Sequence, residues 1–114
     1  MAESPDARSR AQADVTERPD GVVVRRLVRG DLMDVTEYTA PRGFTTGASD
    51  SDVSEKAGYV VRGTVEITTD AGTLVVTAGG AYTIPHGLPH QFTVTEDAVI
   101  VQVRHPPAPP PART

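Results

Sequence analysis

Between Gly79 and His90 the chain reads Gly-Gly-Ala-Tyr-Thr-Ile-Pro-His-Gly-Leu-Pro-His. This stretch restricts the backbone more than any other. A glycine turn leads into an alternating run, Ala81-Tyr82-Thr83-Ile84. Pro85 cannot donate to a sheet ladder, and Gly87 can take positive φ, so the pair predicts a tight connection between two strands. His90 then stands at the start of the second strand, where its ring can point to one face.

The rest of the chain follows the same plan. Short runs rich in Val, Thr and Ile predict strands over 21–28, 32–38, 58–62, 64–69, 73–77, 81–84, 91–94 and 98–103. Turn signals separate them at Arg29-Gly30-Asp31, Pro41-Arg42-Gly43, Arg62-Gly63, Asp70-Ala71-Gly72 and Ala78-Gly79-Gly80. No window carries an amphipathic helix, and there is no fixed-period repeat. An all-β sandwich or barrel is the expected class. With only two Phe and three Tyr, its core must be built mostly from Val, Ile, Leu and Ala.

The 114 residues suffice for one domain, expected over 21–105. Residues 1–20 are polar and read as a disordered tail, or as an arm ordered only by a partner chain. The proline-rich segment 106–114 reads as a solvated tail favouring polyproline II. A formal charge of −4 and no basic cluster argue against nucleic acid as a partner. Without cysteine there can be no disulfide, thiolate metal site or cysteine nucleophile. No signal peptide or membrane-length apolar run is present, so no membrane partner and a cytoplasmic location are expected.

Gly79, Pro85, Gly87 and His90 together resemble the second motif of the cupin superfamily, Gly-(x)5-Pro-x-Gly-x-x-His. The hairpin Gly58-Tyr59-Val60-Val61-Arg62-Gly63-Thr64-Val65-Glu66-Ile67 and the opening Ala40-Pro41-Arg42-Gly43 are also similar to that superfamily. The resemblance spans roughly residues 32–104 and implies a double-stranded β-helix, the cupin jelly-roll barrel. It also implies that His90 is a metal ligand or an active-site residue inside the barrel.

The first motif departs from the family pattern, Gly-(x)5-His-x-His-(x)3,4-Glu-(x)6-Gly. Counting back from Gly63 puts Lys56 where the glutamate belongs. Counting from Gly43 puts Ser49 and Ser51 at the two histidines, and a one-residue shift brings in Asp50 and Asp52. Of the four usual ligands only His90 survives in place. Strand parity turns Lys56 inward and Glu55 outward. An inward ammonium would repel a divalent cation and could take its electrostatic place, balanced by Asp50 or Asp52. The expectation is therefore a metal-independent protein with no cofactor. The alternative is a site for Mn, Fe, Ni or Zn built from Asp50, Asp52 and His90.

The candidate catalytic set is His90 as proton shuttle, Lys56 as anchor for a carboxylate or enolate, and Asp50 or Asp52. Gly58, by parity, would widen the pocket, and Val60, Tyr82, Ile84, Phe92 and Val94 would line it for a small-molecule substrate. Three functions stay open. The first is a metal-independent cyclase, isomerase or dehydratase acting on a hydrophobic metabolite with a carbonyl or carboxylate, as in natural-product tailoring. The second is a metal-dependent dioxygenase or isomerase. The third is a non-catalytic ligand-binding or sensor module. The resemblance further implies a homodimer, with 21–28 as a strand that could be added to a partner's sheet.

Overall fold

The structure, a computed structural model, describes residues 4–46 and 54–107. A short 3-10 turn at Arg10–Gln12 precedes seven strands. These are β1 (Asp14–Glu17), β2 (Val23–Arg29), β3 (Asp34–Ala40), β4 (Glu55–Thr69), β5 (Gly72–Thr77), β6 (Ala81–Ile84) and β7 (Gln91–His105). Every pairing is antiparallel, in the order β1-β2-β3-β7-β4-β5, with β6 also on β4.

β4 and β7 organise the barrel. Each runs 15 residues and serves both halves of it. The first half of β4 pairs with β6 and with the end of β7, while its second half pairs with β5 and the start of β7. The Arg62-Gly63 pair, expected as a turn between two strands, is instead an irregularity inside β4. The register against β7 shifts between Val60 and Val65. A bulge inserts a residue and so reverses which face the following side chains occupy. Accordingly Lys56, Gly58 and Val60 are buried before it, and Val65 and Ile67 after it. Gly63 permits this with φ +85, packed directly on the backbone of Asp97 and Ala98. The expected break between 94 and 98 is likewise absent, since β7 continues through it.

The segment read as a tail contributes structure. β1 pairs with β2, and Arg10 makes a two-pronged ion pair with the buried carboxylate of Glu37 at 3.0–3.1 Å. β2 is thus paired on both sides within its own chain, by β1 and β3. The expectation of 21–28 as a strand added to a partner's sheet is corrected by this pairing, because β1 already covers the edge.

The core is aliphatic, as the composition requires, with Val22, Val60, Val65, Ile67, Val94 and Ala98 among its most buried members. Tyr82 is the one aromatic residue fully enclosed with them. Among the described residues no helix is long and apolar enough to cross a membrane.

Candidate active site

The turn Pro85–Leu88, closed by a hydrogen bond from Leu88 N to Pro85 O and with Gly87 at φ +74, delivers His90 to the start of β7. The ring is buried, and its Nδ1 lies 2.7 Å from the Leu88 carbonyl oxygen. A carbonyl oxygen only accepts, so Nδ1 carries the proton. In the neutral tautomer that this contact selects, the lone pair of Nε2 faces Lys56, whose Nζ stands 3.4 Å away. Phe92 meets the imidazole edge-on at 5.6 Å and Tyr82 edge-on at 5.4 Å.

Lys56 lies on β4 with its side chain buried, and Glu55 beside it is exposed, as strand parity predicts. The lysine forms part of the wall of a cavity of about 270 Å³. Phe44, Phe92, Val94 and Ile100 give that cavity apolar walls. Arg18, Lys56 and Arg104 line it as cations, and Tyr38 and Gln102 add polar groups. No carboxylate occurs among the described lining residues. His90 is not itself in the wall, but it touches Lys56 and Phe92, which are.

The structure brings together Lys56, Tyr82, Phe92 and Val94 at the cavity, with His90 behind them. Val60 and Ile84 instead belong to the closed core, away from the cavity wall. The expectation that Gly58 opens extra room is also corrected. The Tyr82 ring lies where a side chain at position 58 would begin, so the missing Cβ is occupied by the tyrosine of the neighbouring strand. The Tyr82 hydroxyl then donates to Gln102 Oε1 at 2.7 Å. Burial pushes the titration of Tyr82 well above that of an ordinary phenol, so the group stays a neutral donor. Burial also raises Tyr38. Asp50 and Asp52, with Ser49 and Ser51, lie outside the described residues.

Sequence reasoning missed Arg18, Tyr38, Ile100, Gln102 and Arg104. For the β7 residues a signal existed: Ile100, Gln102 and Arg104 keep the even parity of His90, Phe92 and Val94. Arg18 carried none, because only the docking of β1 on β2 brings it to the cavity. There its guanidinium lies 5.8 Å from the centroid of the Phe44 ring and pairs with Asp20. A backbone hydrogen bond from Val22, with help from Arg18, holds the Asp20 carboxyl below its usual range. A depressed carboxylate stabilises the fold above its unfolded value of about 3.9 and loses that contribution as pH falls through the folded value. Asp20→Asn is expected to abolish this part of the acid sensitivity. Unfolding midpoints of the variant and the wild type across pH 2–6 check it, converging at the acid end.

A divalent metal at His90 does not fit the described residues. The nitrogen that would bind it faces an ammonium, and no group of three or more His, Asp or Glu side chains is placed to hold an ion among the described residues.

A family model described as "Cupin domain" matches residues 37–103, more than half of the chain. The chain belongs to the cupin family. Solved structures agree on the fold. KdgF from Halomonas sp. superposes with a TM-score of 0.80 at 18% identity, covering 90% of this cupin and 94% of that chain. Ectoine synthase from P. lautus gives 0.77 at 20% identity, with 91% and 80% covered. The polyketide cyclase RemF from Streptomyces resistomycificus gives 0.75 at 23%, with 97% and 85% covered. No curated protein matches the sequence. The cupin barrel read from the second motif is thus the fold observed, and it holds the cavity beside the motif's histidine.

Proposed function

We propose that this cupin binds a hydrophobic metabolite carrying a carbonyl or carboxylate and converts it by metal-independent acid–base chemistry of the cyclase, isomerase or dehydratase kind. The observation that carries the proposal is the pairing of Lys56 with the Nε2 lone pair of His90 at a cavity whose walls combine apolar side chains with cations and no described carboxylate. An ammonium there stabilises negative charge developing on a bound enolate or carboxylate, and the low local dielectric strengthens it. His90, neutral with Nδ1 committed to Leu88, accepts a proton at Nε2 and returns it. Gln102, its amide oxygen taken by Tyr82, offers its NH2 to a ligand oxygen. Asp50 or Asp52 balances the lysine in this reading. Natural-product tailoring is the setting we favour. A polyketide cyclase and an ectoine synthase among the structural relatives support it.

Elemental analysis of untagged protein prepared without chelator tests the metal-independent part. Less than about one metal per ten chains, unchanged in His90→Ala, is expected. Stoichiometric Mn, Fe, Ni or Zn that disappears in His90→Ala would overturn it in favour of a metal site using Asp50, Asp52 and His90.

We further propose a homodimer. Tyr59 and Val61, each half exposed, share the outer face of the sheet with Ala57, Val101 and Val103. Such an apolar face is the kind that a second copy covers. Light scattering is expected to give twice the 12.1 kDa of one chain, and Tyr59→Lys to halve it. A single-chain mass for the wild type would refute the dimer.

A further inference from the structure

The chain contains eleven basic residues of the Lys and Arg type, of which ten are arginine and one, Lys56, is lysine. Arginines carry the positive charge on the described surface, and the sole amine side chain is buried at 8% exposure. The two cations are not chemically equivalent. Guanidinium stays protonated in proteins and does not act as a nucleophile, whereas an ammonium that gives up its proton becomes one. If charge alone were needed at this wall, arginine, which this chain uses everywhere else, would suit it. The lone lysine is placed instead 3.4 Å from a ring nitrogen with its lone pair exposed to it.

We propose that Lys56 is a covalent amine nucleophile that forms a reversible imine with an aldehyde or ketone in the cavity. The inference rests on the reading of that cavity as a site for carbonyl- or carboxylate-bearing ligands, and it narrows the substrate class to carbonyl compounds. His90 Nε2 takes one proton from the Lys56 ammonium, leaving a neutral amine and an imidazolium whose Nδ1–H remains on Leu88 O. The Nζ lone pair attacks the carbonyl carbon, the C–N bond forms, and the carbonyl π electrons move to oxygen. The imidazolium returns its proton to that oxygen. A second proton leaves nitrogen for the same oxygen, the C–O bond breaks, and water departs. Ammonium plus carbonyl gives iminium plus water, so one positive charge is kept, two of the three Nζ hydrogens end on water and one stays on nitrogen. No oxidant or reductant is required. Phe92, Val94 and Ile100 limit the water available for hydrolysis of the product.

The probe is 4-carboxybenzaldehyde, added to the full chain with sodium cyanoborohydride, which reduces an imine to a stable secondary amine. The chain offers two amines, Lys56 and the N-terminal α-amine, so the α-amine is an internal reference in each sample. Intact mass and peptide mapping are expected to show one carboxybenzyl group on Lys56, formed at least about tenfold faster than on the α-amine. A folded His90→Gln variant is expected to label Lys56 about tenfold or more slowly, as loss of a positioned base predicts. Labelling confined to the α-amine, or equal rates at both, would overturn the nucleophile even if His90→Gln fails to fold. An unchanged Lys56 rate in folded His90→Gln would remove His90 from the step. Calorimetry with 4-(hydroxymethyl)benzoate, which cannot form an imine, separates the two levels. Binding without a Lys56 adduct overturns the imine and leaves the cavity reading standing, whereas neither binding nor adduct overturns both.

Discussion

Replacing Lys56 by methionine is expected to weaken binding of 4-(hydroxymethyl)benzoate by about 10- to 100-fold, the worth of one charge-assisted hydrogen bond of about 1.5–3 kcal/mol. Methionine is close to lysine in length and fills the same channel along β4, so the cavity keeps its shape while losing the ammonium. The carboxylate of the ligand would then be desolvated against Phe44, Phe92 and Val94 with one cation fewer among Arg18, Lys56 and Arg104. Calorimetric titration of both proteins, each checked for a native β-sheet circular dichroism spectrum, measures the loss. Equal affinities would show that the ligand is held elsewhere and would remove Lys56 from the site.

The second large effect falls on the fold. Gly63→Ala is expected to destabilise the protein by about 2–5 kcal/mol. A side chain at φ +85 costs about 1–2 kcal/mol, and forcing a methyl group into a packed neighbour adds about 1–3. The neighbour here is the Asp97 carbonyl and the Ala98 backbone, which cannot rotate aside as a side chain could. At about 4–8 °C per kcal/mol for a domain of this size, the melting temperature should fall by at least about 8 °C. The variant also tests the bulge itself, since β4 must reverse its faces there to bury Lys56 on one side and Val65 and Ile67 on the other. A melting curve within about 2 °C of the wild type would mean that the strand can pass this point without glycine.

Much of this architecture is local enough to read from the chain. Pro85 and Gly87 define their connection through backbone chemistry alone, and the place of Lys56 at the family's glutamate position, with strand parity against Glu55, was enough to turn it inward. What escaped depends on contacts between distant segments. Gly58 looked like vacant space because nothing near it in sequence reveals that Tyr82, 24 residues later, lays its ring across it. Arg62-Gly63 has the composition of a turn, and only the opposing β7 backbone makes it a bulge. Arg18 reaches the cavity because Arg10 is clamped by Glu37 and β1 lies along β2, a tertiary arrangement in a stretch whose polar composition suggested no order. The even parity of Ile100, Gln102 and Arg104 was legible, but the assumed interruption after Val94 hid its continuity with His90.

The central place of β7 has a consequence for how the molecule is assembled. Among the described residues β1, β2 and β3 join the remainder of the sheet only through β3 on β7, yet β7 is the last of the seven strands in chain order. The hairpins β4–β5 and β2–β3 can close early because their loops are short, whereas β3 must wait for partners some 60 residues downstream, Ala98 to Arg104, before the N-terminal strands join the rest. Closing loops of that span is entropically costly and slow. During synthesis Arg18 and Tyr38, which line the cavity from the N-terminal side, remain parted from Lys56 until this final strand emerges. The cavity around the lysine is therefore complete only after the polypeptide has been drawn together from both ends.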